Sequence, residues 1–122
     1  MLIESVKEYD VMSEGKSGTS LQGYVNTTFF KLKELFGEPT YNDADPTEKV
    51  NMEWVLDVKY YEEGNEDIHD YEYHTVSIYN WKTGYVPFDE YEWHVGGNSW
   101  VAEDIVKMII AKGIKPDYNY ND

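Results

Sequence analysis

Apart from its carboxylates, the side chains in this sequence that could ligate a metal or move protons near neutral pH are few. The histidines are His69, His74 and His94. His69 and His74 stand five residues apart, with Asp67, Asp70 and Glu72 beside them. Zinc chemistry needs ligands that converge on a tetrahedron, and compact ligand spacings are its usual signature. None is present, so acids and a solvent-facing histidine in a loop are expected, with no bound metal and no cofactor. The same stretch lacks the alternating acids, the Gly at position six and the terminal bidentate Glu of an EF-hand loop. Glu90 and Glu92 flank Tyr91 as a carboxylate pair. Acid–base work would require one of them to be desolvated so that its pKa rises, and in so acidic a chain such pairs arise by chance. No serine sits in a nucleophile-elbow pattern, and cysteine is absent. The expectation is a protein that is not an enzyme.

Gly18-Thr19-Ser20-Leu21-Gln22-Gly23-Tyr24 could offer backbone N–H groups to an anion between its two glycines. It is not a Walker loop, because no Gly-Lys-Ser/Thr follows. Together with Trp93-His94-Val95-Gly96-Gly97 it suggests a small-ligand pocket, in which rings stack a base and backbone donors hold phosphate. Its residues would be Ser20, Gln22, Tyr24, Trp93 and His94. The absence of arginine weighs against tight phosphate binding. The plainer expectation is a structural loop before the first helix.

Charge is the strongest signal. The 122 residues carry 24 acids and 10 basic residues, all lysine, for a net charge of −14. Residues 38–72 hold 12 of the acids and 2 lysines. Such a chain repels nucleic acid and anionic membrane, so neither is an expected partner. A basic protein is. Acids alternate with rings in Tyr60-Tyr61-Glu62-Glu63, Asp70-Tyr71-Glu72-Tyr73 and Phe88-Asp89-Glu90-Tyr91-Glu92-Trp93. Spaced carboxylates can stand where successive phosphates would, and tyrosine and tryptophan are effective interface anchors. The expected partner-binding set is Glu62, Glu63, Glu66, Asp67, Asp70, Tyr71, Glu72 and Tyr73. The bland alternative is a wet sheet face whose acids protect its edge.

These residues need a scaffold. Trp54–Tyr61 and His74–Trp81 read as two strands joined by an acidic connection. Trp54, Leu56, Val58 and Tyr60 alternate with Glu53, Val55, Asp57, Lys59 and Tyr61, as in an antiparallel sheet with one covered and one wet face. Residues 2–11 suggest an edge strand of broken register, and Tyr91–Val95 another strand. A short helix is expected at Thr27–Gly37 with Thr27 as its cap, its apolar face made by Phe29, Leu32, Leu35 and Phe36. A second should run from a Ser99 or Asn98 cap to about Lys112, stopped by Gly113 and Pro116. The prediction is one domain over residues 1–122, of class α+β. It comprises an antiparallel sheet of three to five strands with two helices packed on one face, and a loose acidic tail at about 117–122. No apolar run approaches the roughly 20 residues that span a bilayer. The N-terminus lacks the regions of a signal peptide, and a cytoplasmic setting is expected.

The segments Gly18–Tyr24, Phe36-Gly37-Glu38-Pro39, Lys49-Val50 leading to Glu53-Trp54, Ile78-Tyr79-Asn80-Trp81-Lys82 and Trp93–Gly97 resemble, in combination, a family of small bacteriophage-encoded proteins. The likeness covers roughly residues 18–112. It implies a phage product acting in a host bacterial cytoplasm and assigns no functional residue. Against those relatives the connection at 62–73 looks like an acidic elaboration of a shared scaffold.

Overall fold

A computed structural model describes residues 1–8, 19–61 and 71–116 of the chain. Its elements run β1 (Leu2–Glu8), β2 (Ser20–Thr27), α1 (Phe29–Phe36), β3 (Tyr41–Asn42), β4 (Met52–Tyr61), β5 (Tyr71–Tyr79), β6 (Tyr91–Gly97) and α2 (Val101–Lys112). The fold is α+β. Its sheet is antiparallel throughout and has six strands in the order β1-β4-β5-β6-β2, with the two-residue β3 added to β4.

β4 lies between the edge strand β1 and the central β5, and its alternation on one face does what the sequence predicts. Trp54, Leu56, Val58 and Tyr60 are buried on one face. Cross-strand partners share a side, so Ile78 and Val76 of β5 join them opposite Trp54 and Leu56. Val95 follows opposite Ile78. The buried residues of α1 (Phe29, Leu32, Leu35, Phe36) and of α2 (Val101, Ala102, Ile105, Val106, Ile109) belong to the same core cluster. Two tryptophans anchor it. Trp54 and Trp93 meet edge to face with ring centroids 5.8 Å apart. Each buries a large apolar body and finds a partner for its polar atom. The Trp54 indole donates to Gly37 O at 3.0 Å, and that of Trp93 to Thr27 O at 3.2 Å.

The second face is not simply wet. Its centre, Val55, Thr75 and Ser77, is buried, and the Thr75 hydroxyl donates to Asp57 Oδ1 at 2.8 Å. A Val–Thr–Ser centre therefore avoids the cost of an unpaired buried hydroxyl at Thr75.

Four local expectations are corrected. Ser20–Tyr24 is not a loop: it is the first part of β2, paired with β6. Gly23 hid the strand period because its inward position carries no side chain of its own; the space is filled by Glu103, whose atoms a Cβ at Gly23 would overlap. The cap of α1 is Thr28, whose Oγ1 accepts from Lys31 N at 3.1 Å, while Thr27 ends β2. α2 begins without a side-chain cap: Trp100 holds the N-cap position, and Ala102 N donates to the backbone oxygen of Ser99 at 3.1 Å. β5 starts at Tyr71 rather than His74, because the β4–β5 ladder continues to the pair Tyr61–Tyr71.

Other signals read directly. β1 is an edge strand, and its broken register is an irregularity between Ile3 and Ser5. Gly113 is left-handed at φ 66° and closes α2 with its N–H toward Ile109 O and Ile110 O.

Candidate functional site

Glu62, Glu63, Glu66, Asp67, Asp70 and His69 lie outside the described residues, as do the 9–18 segment and the tail at 117–122. The rest of the acid–aromatic set stands on β5. Tyr71 and Tyr73 share a face of that strand, both are exposed, and their rings meet edge to face at 5.4 Å. Tyr61 packs edge-on against Tyr71 at 6.0 Å, and Lys59 Nζ sits 3.9 Å from the Tyr71 ring centroid. Tyr73, 69% exposed, is therefore the more accessible ring. Glu72 is exposed and alternates to the other side.

The second candidate set is divided. Trp93 is in the core, fully buried and hydrogen-bonded. Tyr24 and His94 are cross-strand partners on the opposite face, edge to face at 5.0 Å. Gln22 Nε2 donates to Ser20 Oγ at 3.1 Å and to Gly97 O at 3.3 Å. Tyr79 and Trp81 complete an aromatic group around His94, with centroids 5.4 and 6.1 Å from its ring. Nδ1 of His94 is buried without a hydrogen-bond partner among the described residues. Burial lowers the pKa of His94, partly offset by Glu92. His74 is lowered for the same reason, partly offset by Glu72, and its Nε2 accepts from Asn98 N at 3.3 Å. Both rings are thus biased toward the neutral form. Among the described residues no group of His, Asp and Glu could hold a metal ion.

Gly23, Gly96 and Gly97 serve packing. A Cβ on Gly97 would lie 2.5 Å from Ala102 Cβ, so α2 could not approach β6. A Cβ on Gly96 would lie 2.5 Å from Ser77 Oγ. Gly96, with Ser77, Tyr79 and Ser20, lines a cavity of about 190 Å³.

That cavity shares Val50, Glu53 and Trp81 with a larger one of about 600 Å³, whose other walls include Tyr41, Thr47 and Glu48. Sequence reasoning missed this groove because its walls come from β3, β4, the 43–51 segment and the 80–85 turn. A buried pair ties them together. Asn80 is fully buried, and its Oδ1 accepts from Asn51 N and Met52 N, both at 2.9 Å. Its Nδ2 donates to Asn51 Oδ1 at 3.0 Å and to Thr83 Oγ1 at 2.7 Å. Asn51 Nδ2 in turn donates to Asp43 O at 2.9 Å and Asp45 O at 3.0 Å. Lys82, with a left-handed φ of 55°, is held by its N–H to Lys49 O at 2.7 Å. The only sequence trace of this hub was an asparagine between Tyr79 and Trp81 at the end of an apolar strand.

The groove's electrostatics are negative. The Tyr41 phenol is pushed up, first by partial desolvation and then by Asp43, to which its hydroxyl donates at 3.3 Å, and by Glu48 and Glu53. Tyr79 is also raised, by desolvation first and then by Glu53. Among the described residues that line it, one ammonium, Lys49, is present.

Comparison of the chain with family models, with curated proteins and with solved structures finds no match. No helix among the described residues is long and apolar enough to cross a membrane.

Proposed function

We propose that this is a small, non-catalytic phage protein that works in a host bacterial cytoplasm. It binds and inhibits a basic host protein of nucleic-acid handling or defence by presenting carboxylates where that protein takes phosphates. The observation that carries the reading is the exposed Tyr71–Tyr73 pair, held on a paired strand at the end of the most acidic stretch of a chain of net charge −14. Carboxylates steer a basic partner and set the encounter rate; rigid aromatic anchors supply contact area at low entropic cost. Glu62, Glu63, Glu66, Asp67, Asp70 and Glu72 would meet lysines and arginines, with Tyr71 and Tyr73 as anchors. The phage origin rests on the resemblance of the segments between residues 18 and 112. Capture from host lysate at low salt tests the reading. Recovery of a DNA- or RNA-binding protein or a nuclease is expected, and recovery of no basic protein contradicts it.

A second reading, a nucleotide-like ligand, is favoured by one observation: Tyr24 and His94 do meet, at 5.0 Å, beside Tyr79 and Trp81. The carboxylates of Glu48 and Glu53 in the neighbouring groove oppose a phosphate there. Thermal-shift screening against nucleotides separates the two; no stabilisation at millimolar concentration removes the second.

A further inference from the structure

We infer that the exposed Phe30–Phe88 pair is a docking surface for a segment of a basic protein in which apolar side chains stand between lysines or arginines. The inference rests on the proposed binding of such a protein and gives it a second contact surface. Phe30 is 63% exposed and Phe88 56%. Single exposed apolar residues are ordinary on a protein surface, but two large rings in contact form a patch. Their centroids lie 5.8 Å apart. Each meets the buried Phe29 edge to face at 5.5 Å, and Phe29 in turn packs on Trp54 at 6.0 Å. The pair is thus seated on the core while much of each ring stays in water. Pro87 is buried, and its ring fixes the backbone just before Phe88. Little ordering is left for binding to bring about, which suits such rings as anchors.

Charge selects the occupant. On the α1 surface the neighbours of Phe30 at spacings of three and four are Lys33 and Glu34. Lys33 is already bridged to Glu38 at 3.4 Å. Asp89 and Glu90 follow Phe88 directly, and both are exposed. Among the described residues Glu34, Asp89, Glu90 and Lys31 form no salt bridge, so three open carboxylates stand against one open ammonium. A second copy of the chain would bring its own net charge of −14 against them. An anionic bilayer meets the same repulsion. A basic segment complements the rim, and its apolar side chains cover the rings. Phe88-Asp89-Glu90 is also the part of the third acid–aromatic stretch that stays at the surface, since Trp93 is in the core. The patch is separate from the Tyr71–Tyr73 pair. Phe29 meets Trp54, which pairs with Ile78, whereas Tyr71 pairs with Tyr61. The two surfaces therefore stand at opposite ends of the β4–β5 ladder, about 24 Å apart along the strands.

The test is an NMR titration of the full-length protein at low salt with a short amphipathic peptide of leucine and lysine. Two control peptides replace every lysine by glutamate or every leucine by serine. The backbone amide signals of Phe30 and Phe88 are followed. Saturable shifts with the leucine–lysine peptide are expected, with binding at least about tenfold weaker for either control. The combined change Phe30→Ala and Phe88→Ala should abolish binding, and thermal melting checks that this variant folds. Asp89→Asn with Glu90→Gln keeps the rings and should weaken binding several-fold. Signals that do not move, or equal binding of the lysine and glutamate peptides, overturn the inference. Shifts at Phe30 and Phe88 that grow with protein concentration alone assign the face to a second copy. Binding to phosphatidylcholine vesicles that is lost in the double alanine variant assigns it to a lipid surface. Either result also overturns the inference. The two proposals fail separately. Shifts confined to Tyr71 and Tyr73 that survive in the double alanine variant remove this surface and leave the acidic one standing. Peptide binding at Phe30 and Phe88 without capture of any basic host protein removes the proposed function and leaves the patch as a site for basic, apolar peptides.

Discussion

The carboxylate of Glu103, on α2, accepts the backbone N–H of Tyr24, on β2, at 2.8 Å. The ladder between β2 and β6 slips between Leu21 and Gly23, and Glu103 serves a donor next to that slip. Gly23 leaves the room for it. Lys107 pairs with the other carboxylate oxygen at 3.1 Å. Replacing Glu103 by Ala should cost about 1 kcal/mol, because the orphaned N–H lies at the surface where water can partly replace the partner. Glu103→Gln, which keeps an acceptor, should recover part of it. Urea denaturation of the variants measures this; an unchanged midpoint for Glu103→Ala would show that water alone suffices.

The same contact, with that to Lys107, holds the Glu103 carboxyl below its ordinary value of 4.5. A depressed acid contributes stability that is fully present above 4.5 and lost as pH falls through its folded value. His74 and His94, lowered by burial below 6.5, act in the same direction at higher pH: their contribution is full above 6.5 and is lost as pH falls through their folded values. Following the imidazole signals by NMR should give both midpoints below 6.5. A midpoint at or above that value for either ring would contradict the burial seen for it.

Asn80→Ala should be among the most damaging single changes outside the apolar core. It removes the acceptor of two backbone N–H groups and the donors to Asn51 and Thr83, all within a buried network. A loss of about 2–4 kcal/mol is expected. Chemical denaturation reads it, and a loss below about 0.5 kcal/mol, the range of ordinary surface changes, would mean that the groove walls are not held by this hub.

Gly97→Ala should cost about 1–3 kcal/mol by overpacking, since its Cβ would meet Ala102 Cβ at 2.5 Å and His74 Nε2 at 3.0 Å. Thermal melting measures it. Full stability in the variant would reopen a binding role for the Trp93–Gly97 segment.

How much of this was legible depended on whether a residue's role is written in its own side chain. β4 declares itself because Trp54, Leu56, Val58 and Tyr60 alternate without a break. α2 does so because Ile105 and Ile109 recur at helical spacing before Gly113. β2 did not, because its inward position at Gly23 is filled from α2. Trp93 could be placed in a strand but not on a face: only the register against Val25 shows that its ring belongs to the core and His94 to the other side. The groove was illegible for a stronger reason. Tyr41, Glu53 and Trp81 are brought together by β3 pairing with β4 and by the Asn51–Asn80 bonds, neither of which follows from local pattern.

The central claim is that the acidic surface serves binding rather than solubility alone. The most direct test is the association rate, as a function of salt, of the captured host partner with the wild-type chain and with the combined variant Glu62→Gln, Glu63→Gln, Glu66→Gln, Asp67→Asn. The substitutions nearly conserve shape and remove four negative charges. Charge steering is screened over about 10 Å at 0.1 M salt. The wild-type rate should therefore fall at least about tenfold from low to physiological salt. The variant should associate about tenfold more slowly at low salt, with a shallower slope and a dissociation rate little changed. Equal rates for the two proteins and a flat salt dependence would contradict the account.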